Sequence, residues 1–91
     1  MTSISRELAI TNKRGLHARA SAKFVQTVDA YDAVVAVAKD GTTVGGTSIM
    51  GLMMLAASPG CTILVSACGK QAREVLDALE HLVADKFGEE I

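Results

Sequence analysis

The segment Gly15-Leu16-His17-Ala18-Arg19-Ala20 places a histidine and an arginine after a glycine, at the start of a run with helical character. The first amides of a helix lack intrahelical acceptors, and the aligned peptide dipoles make that end partly positive. A histidine at this place lies beside an anion site, and Arg19 adds a guanidinium suited to phosphate oxygens. The pattern favours an imidazole that accepts a phosphoryl group and passes it on. The backbone N–H groups of Ala18 and Arg19 would donate hydrogen bonds to the phosphate oxygens.

Basic residues cluster around this histidine, although the net charge of the chain is only −1. No Asp or Glu lies between Glu7 and Asp29. The basic side chains in that window are Lys13, Arg14, Arg19 and Lys23. A local positive field speeds the encounter with anionic groups and with acidic partner surfaces. The alternative interpretation is a solvated loop in which the charges cluster by chance.

The composition is typical of one folded domain. The chain has 91 residues, of which 49% are hydrophobic and 21% charged, which is enough for a modest core and too apolar for disorder. No apolar run reaches the roughly 18–20 residues of a membrane helix, and residues 1–7 lack the pattern of a signal peptide. We therefore expect a single domain over residues 1–91, located in the cytoplasm and not inserted into a membrane.

Hydrophobic periodicity predicts four strands, at residues 5–10, 33–39, 42–45 and 61–67, and three helices, at 18–28, 49–56 and 70–87. The pair Asp40-Gly41 is typical of a two-residue hairpin between the second and third strands. Two apolar helix stripes are predicted, one of Ala18, Ala22, Val25 and Val28 or Asp29, the other of Ala72, Val75, Leu76, Leu79, Leu82, Val83 and Phe87. The order β-α-β-β-α-β-α predicts an α+β domain with two layers, an antiparallel or mixed sheet and helices on one face.

The short second helix is apolar nearly all round, and Ser48 is positioned to be its N-cap. A helix on a two-layer domain buries only one stripe, so some of Ile49, Met50 and Met53 should be exposed and form a partner surface. The alternative is that all of them fit into the core. His81, by contrast, lies about 200° around the third helix from Leu79 and is expected to face solvent without a function.

Two motifs about thirty residues apart carry a family resemblance: Gly15-Leu16-His17-Ala18-Arg19, and the run of residues 47–53 beginning Thr47-Ser48-Ile49-Met50. Together they resemble HPr, the histidine-containing phosphocarrier of the bacterial phosphoenolpyruvate-dependent phosphotransferase system. The resemblance covers essentially the whole chain. It implies an open-faced sandwich, with a four-stranded antiparallel sheet in the order 1-4-2-3 and three helices on one face.

The resemblance also implies a role for each matching residue. His17 would take a phosphoryl group from enzyme I and give it to an EIIA protein, with Arg19 beside the phosphoryl group. Ser48 matches a serine that HPr kinase/phosphorylase modifies, and Ile49, Met50 and Met53 correspond to the docking surface for partners. The chain would act as a substrate of phosphotransferase enzymes and not as an enzyme. We expect a monomer without cofactor or metal, with Ala20 in place of the family's usual proline.

Three alternatives remain open. The chain could be a regulator of the nitrogen-related phosphorelay that is not coupled to sugar uptake. A soft-metal-binding domain could use Met50, Met53, Met54 and Cys61, although Cys61 and Cys68 lie at opposite ends of one strand and are expected to be free thiols. A nucleic-acid-binding domain could use the basic residues 13–23, but aromatic residues make up only 3% of the chain, and we expect no nucleic-acid partner.

Overall fold

A computed structural model describes residues 3–89 of the chain. The strands are β1 (Ile4–Ala9), β2 (Val34–Lys39), β3 (Thr42–Gly45) and β4 (Thr62–Cys68); the helices are α1 (Ala18–Asp29), α2 (Ile49–Met54) and α3 (Ala72–Ala84). A short turn with left-handed backbone, Lys86–Gly88, follows α3. The order β1-α1-β2-β3-α2-β4-α3 confirms the predicted succession of elements and the α+β class.

The four strands form one antiparallel sheet in the order β1-β4-β2-β3. This order is the one implied by the family resemblance, and it decides against the mixed sheet. β4 lies between β1 and β2, with Leu8 opposite Ile63 and Val37 opposite Val65. The hairpin between β2 and β3 turns at Asp40 and Gly41, whose φ angles of 50° and 83° suit a type I′ turn.

The core lies between one face of the sheet and the helices. Alternate residues of the central strands are buried there, namely Val35, Val37, Ile63, Val65 and Ala67. The opposite face of the sheet is open, so that Leu64 and Val34 on it are 41% and 71% exposed. A sheet whose one face packs on helices while the other meets water gives this alternation. The two phenylalanines, Phe24 and Phe87, are both fully buried.

The predicted buried side of α1 is wrong except at Val28, which is buried. Ala18 is exposed and Ala22 and Val25 are only half-buried, whereas the buried residues of α1 are Ala20, Ser21, Phe24 and Val28. The observed stripe centres on Phe24, which has the largest apolar surface in the helix, with Ala20 and Val28 one turn away on either side. Burying that ring contributes more than burying alanine methyl groups, which sets the rotation of the helix.

The predicted extent of α3 is also wrong, because the helix ends at Ala84 and does not continue to residue 87. Its predicted stripe is otherwise buried up to Val83, with Leu82 half-buried. Lys86, Phe87 and Gly88 have φ angles of 55°, 57° and 77°, and left-handed backbone costs about 1–2 kcal/mol for each residue with a Cβ. Complete burial of the Phe87 ring offsets that cost at roughly 1.5–3 kcal/mol. The chain therefore reverses here towards the start of α1.

Within residues 3–89, none of the helices combines the length and the apolar character that crossing a membrane requires. Both Cys61 and Cys68 are free thiols, as predicted.

Candidate functional site

His17 stands immediately before α1, at the end of a loop held by a close backbone approach. Gly15 has a φ of +63°, and a Cβ built on it would lie 2.1 Å from the carbonyl oxygen of Ala57. The N–H of Leu16 donates to that same oxygen at 3.0 Å. Only glycine fits so near another backbone in this conformation. Gly15 thus fixes the path by which the chain enters the His17 position.

His17 is the N-cap residue of α1, with extended backbone and no capping hydrogen bond from its side chain. Its carbonyl accepts the first helical hydrogen bond, from the N–H of Ser21 at 2.9 Å. The amides of Ala18 and Arg19 belong to the first turn, where no intrahelical acceptor exists, and both residues are exposed. The helix end therefore presents amide donors next to His17, and Arg19 is exposed in the same first turn.

A carboxylate distant in the sequence contacts the imidazole. The Nε2 atom of His17 lies 2.5 Å from Oε2 of Glu89, and the two side chains are only 22% and 15% exposed. The sequence analysis identified only basic residues around His17, so this carboxylate was missed. Because 72 residues separate the partners, local pattern carries no signal of the contact.

Asn12 holds Glu89 in place. Its Nδ2 donates to Oε1 of Glu89 at 2.8 Å and to the carbonyl of Gly15 at 2.9 Å. The side chain is completely buried, and its Oδ1 has no hydrogen-bond partner within residues 3–89. An unpaired buried acceptor costs about 1–3 kcal/mol, and the two hydrogen bonds that Nδ2 donates, one of them to a carboxylate, offset that cost. Asn12 links Glu89 to the loop that carries His17.

The protonation of this cluster follows from its hydrogen bonds. The pKa of Glu89 is lowered, first of all by the hydrogen bond from Asn12. Burial of the carboxylate acts in the opposite direction, but His17 and Arg14 lower the pKa further. Glu89 is therefore ionised at neutral pH, and an ionised carboxylate only accepts hydrogen bonds. Nε2 of His17 must then carry the proton in their contact. In the neutral imidazole the lone pair that remains for attack is on Nδ1.

The charge around His17 differs from the predicted cluster of four free cations. Lys13, Arg14 and Arg19 are exposed, but Lys23 donates from Nζ to the carbonyl of Phe87 at 2.6 Å. Lys23 thus anchors the turn that leads to Glu89. Lys23 keeps its charge in this contact, but Glu89 adds an anion beside the imidazole, so the site is less positive than the sequence alone indicates.

The α2 region confirms the predicted cap. Ser48 Oγ accepts from the N–H of Gly51 at 2.9 Å. We define the α2 apolar face as the exposed side chains of this helix: Ile49 (41% exposed), Met50 (71%), Met53 (41%) and Met54 (76%). Leu52 is fully buried. The three residues predicted for a partner surface are all exposed, and Met54, not included in that prediction, extends the face.

The remaining candidate residues lie apart from this cluster. His81 is exposed on α3, as predicted. In the described part of the chain, no three His, Cys, Asp or Glu side chains are grouped so that they could hold a metal ion.

The chain is similar to one known protein family and to several known proteins. Residues 4–85 match the family model described as "PTS HPr component phosphorylation site". The phosphocarrier protein HPr of Cupriavidus necator is 44% identical over 86 residues, covering 94% of this chain and 97% of that protein. The phosphocarrier protein NPr of Shewanella violacea is 37% identical over 89 residues, covering 98% of each.

Solved structures agree with the fold. The crystal structure of HPr-C-His from Thermoanaerobacter tengcongensis superposes with a TM-score of 0.87 at 43% identity, covering 100% of both chains. A crystal structure described as an HPr dimer from the same organism gives a TM-score of 0.76 at 44% identity, covering 90% of this chain and 94% of that one.

Proposed function

This chain belongs to the HPr family of phosphocarrier proteins of the phosphotransferase system, and on that basis we propose that His17 carries a phosphoryl group from enzyme I to an EIIA protein. The observation that supports this best is the imidazole at the start of α1 with Nε2 held by Glu89, which leaves Nδ1 as the nucleophilic nitrogen. Amide donors of Ala18 and Arg19 lie on the same helix end.

The transfer needs no proton movement. Nδ1 attacks phosphorus, the bond between phosphorus and the donor atom breaks, and the electron pair of that bond leaves with the donor. The phosphoryl oxygens then accept hydrogen bonds from the amides of Ala18 and Arg19 and from the Arg19 guanidinium. In the second transfer the Nδ1–P bond breaks and its electron pair returns to Nδ1. A site at the surface leaves the phosphoryl group accessible to the next acceptor.

HPr proteins are not catalysts in themselves, and we infer that this chain is likewise a substrate of its partner enzymes. The α2 apolar face supports a docking role, because clustered exposed apolar side chains mark interaction sites and methionine adapts to more than one partner. Enzyme I and an EIIA protein would dock there in turn.

Ser48 is proposed as a regulatory site for an HPr kinase/phosphorylase. Its hydroxyl is exposed at the start of α2, where a phosphate is tolerated by the helix end. The added charge of about −2 would stand beside Ile49 and disfavour burial of the α2 apolar face against a partner. Phosphorylation of Ser48 would then slow phosphoryl transfer to His17.

The direct test is incubation with phosphoenolpyruvate and enzyme I, followed by mapping of acid-labile phosphate. His17→Ala should abolish the label, and the matched control His81→Ala should keep it. Both variants should give the wild-type circular dichroism spectrum. Label that persists in His17→Ala, or that maps to His81, would refute the assignment.

A regulatory role in the nitrogen-related phosphorelay is the second candidate, favoured by the likeness to the NPr of Shewanella violacea. Phosphorylated protein offered to sugar-type and nitrogen-type EIIA proteins separates the two, since transfer to only one type identifies the branch. We expect a monomer, and light scattering after gel filtration distinguishes it from a dimer such as the one described for Thermoanaerobacter tengcongensis HPr.

A further inference from the structure

The chain after α3 runs back to the phosphoryl-accepting histidine. Beyond Ala84, three successive residues, Lys86, Phe87 and Gly88, adopt left-handed backbone conformations. The turn is fixed by the buried Phe87 ring and by Lys23, whose Nζ donates to the Phe87 carbonyl. Glu89 follows directly, and its two carboxylate oxygens have different partners, Asn12 on one side and His17 on the other.

We propose that Glu89, oriented by Asn12, is a positioning residue for phosphoryl transfer: its carboxylate keeps the His17 proton on Nε2 and offsets the positive charge that the ring carries while Nδ1 is bonded to phosphorus. The inference rests on the proposed function of His17. It deepens that function by assigning a role to two residues, Asn12 and Glu89, which lie outside the two family motifs.

The charge argument follows from the transfer step. When neutral imidazole forms a bond from Nδ1 to phosphorus, the ring becomes an imidazolium with its proton still on Nε2. An anion fixed at Nε2 stabilises that state more than the neutral ring, as a buried carboxylate does for the histidine of a catalytic triad. In the return step the same proton stays on Nε2, and the leaving group is neutral imidazole. Glu89 therefore favours the transfer onto His17, and in both steps it keeps the proton on Nε2 and the ring in one orientation.

The geometry supports orientation as well as charge. Asn12 is completely buried and donates both to the Gly15 carbonyl and to Glu89. Gly15 lies two residues before His17, so the same amide group ties the loop before the histidine to the carboxylate on its ring. For metal-binding histidines, removal of the group that orients the ring through its second nitrogen typically changes affinity or activity 10–100-fold, and we expect an effect of that size here.

The variant Glu89→Gln separates charge from shape. Asn12 Nδ2 donates towards this side chain, so the glutamine carbonyl should face Asn12 and its amide should face His17. Nε2 of His17 would then have to accept, and the proton would move to Nδ1, the attacking nitrogen. We expect ¹⁵N NMR of the free protein to show the Nε2–H form in the wild type and a rise of the Nδ1–H form in Glu89→Gln.

Kinetics with phosphorylated enzyme I complete the test. We expect kcat for Glu89→Gln to fall about tenfold or more with KM nearly unchanged, because the docking surface is intact. Glu89→Asp, which keeps the charge, should recover part of the rate. The matched control is Glu74→Gln, an exposed acid on α3, which should match the wild type in both measurements.

The outcomes distinguish this inference from the proposed function. If His17→Ala still acquires acid-labile phosphate, the proposed function itself is wrong. If His17 is required but Glu89→Gln transfers at the rate of Glu74→Gln, the role of Glu89 is refuted and the carrier function stands. A rise in KM alone would make Glu89 a docking residue and would also overturn the inference.

Discussion

Gly15 provides the sharpest test of how the fold places His17, through the substitution Gly15→Ala. The new Cβ would lie 2.1 Å from the Ala57 carbonyl oxygen and 3.0 Å from Cα of Ser58. Both are backbone atoms, so no side chain can rotate away to make room. The carbonyl of Ala57 also accepts from Leu16, and any displacement of it moves the residue before His17.

The expected cost has two parts. Alanine at a φ of +63° costs about 1–2 kcal/mol in left-handed backbone, and the forced displacement of packed atoms adds about 1–3 kcal/mol. The sum is roughly 2–5 kcal/mol, below the ~5–15 kcal/mol by which small domains are stable. At about 4–8 °C per kcal/mol for a domain of this size, Tm should fall by roughly 8–40 °C.

Gly41→Ala is the matched control, because Gly41 also has a positive φ, +83°, but a Cβ there meets nothing within 4 Å. Only the backbone term then applies, and Tm should fall by about 4–15 °C. Thermal melts followed by circular dichroism measure the difference. Phosphorylation by enzyme I, measured well below both melting temperatures, should be slowed in Gly15→Ala and normal in Gly41→Ala. Equal melting temperatures and equal rates would refute the reasoning that close contact with Ala57 positions His17.

Three further predictions concern the remaining parts of the site. Ser48→Ala should lower the free energy of unfolding by about 1 kcal/mol in urea titrations, since it removes the N-cap. Ser48→Asp should fold but accept phosphate from enzyme I at least about tenfold more slowly. A wild-type rate in Ser48→Asp would leave Ser48 with the capping role alone. The hydrogen bond from Asn12 lowers the pKa of Glu89. The Glu89 carboxylate therefore stabilises the fold above its unfolded-state pKa of about 4.3, and the contribution is lost as pH falls through the folded-state pKa. Urea midpoints from about pH 6 to about pH 3 should fall less steeply in Glu89→Gln than in wild type, and parallel curves would contradict this. Replacing both Met50 and Met54 with serine should raise KM for enzyme I while the free energy of unfolding changes by no more than about 0.5 kcal/mol, because both side chains are exposed; an unchanged KM would exclude this face from docking.

The sequence by itself determined the elements and the position of His17 at the start of a helix. The strands, the hairpin at Asp40-Gly41 and the cap at Ser48 depend on interactions between residues close in the chain, which periodicity and turn chemistry report directly. His17 and the helix start beside it are local in the same sense. The exposure of Ile49, Met50 and Met53 was also predictable, because a short helix that is apolar nearly all round cannot bury every side chain against one layer.

Only the tertiary structure decided what surrounds His17. Glu89 reaches the imidazole because α3 ends at Ala84 and the chain reverses around the buried Phe87, and no local pattern predicts where a helix stops when ring burial competes with helix continuation. The rotation of α1 was decided in the same way, by the fit of Phe24 into the core. Lys23 and Asn12 acquired their partners through the same packing. Contacts between residues more than sixty positions apart depend on how whole elements pack, and that packing turned a histidine at a helix end into one paired with a carboxylate.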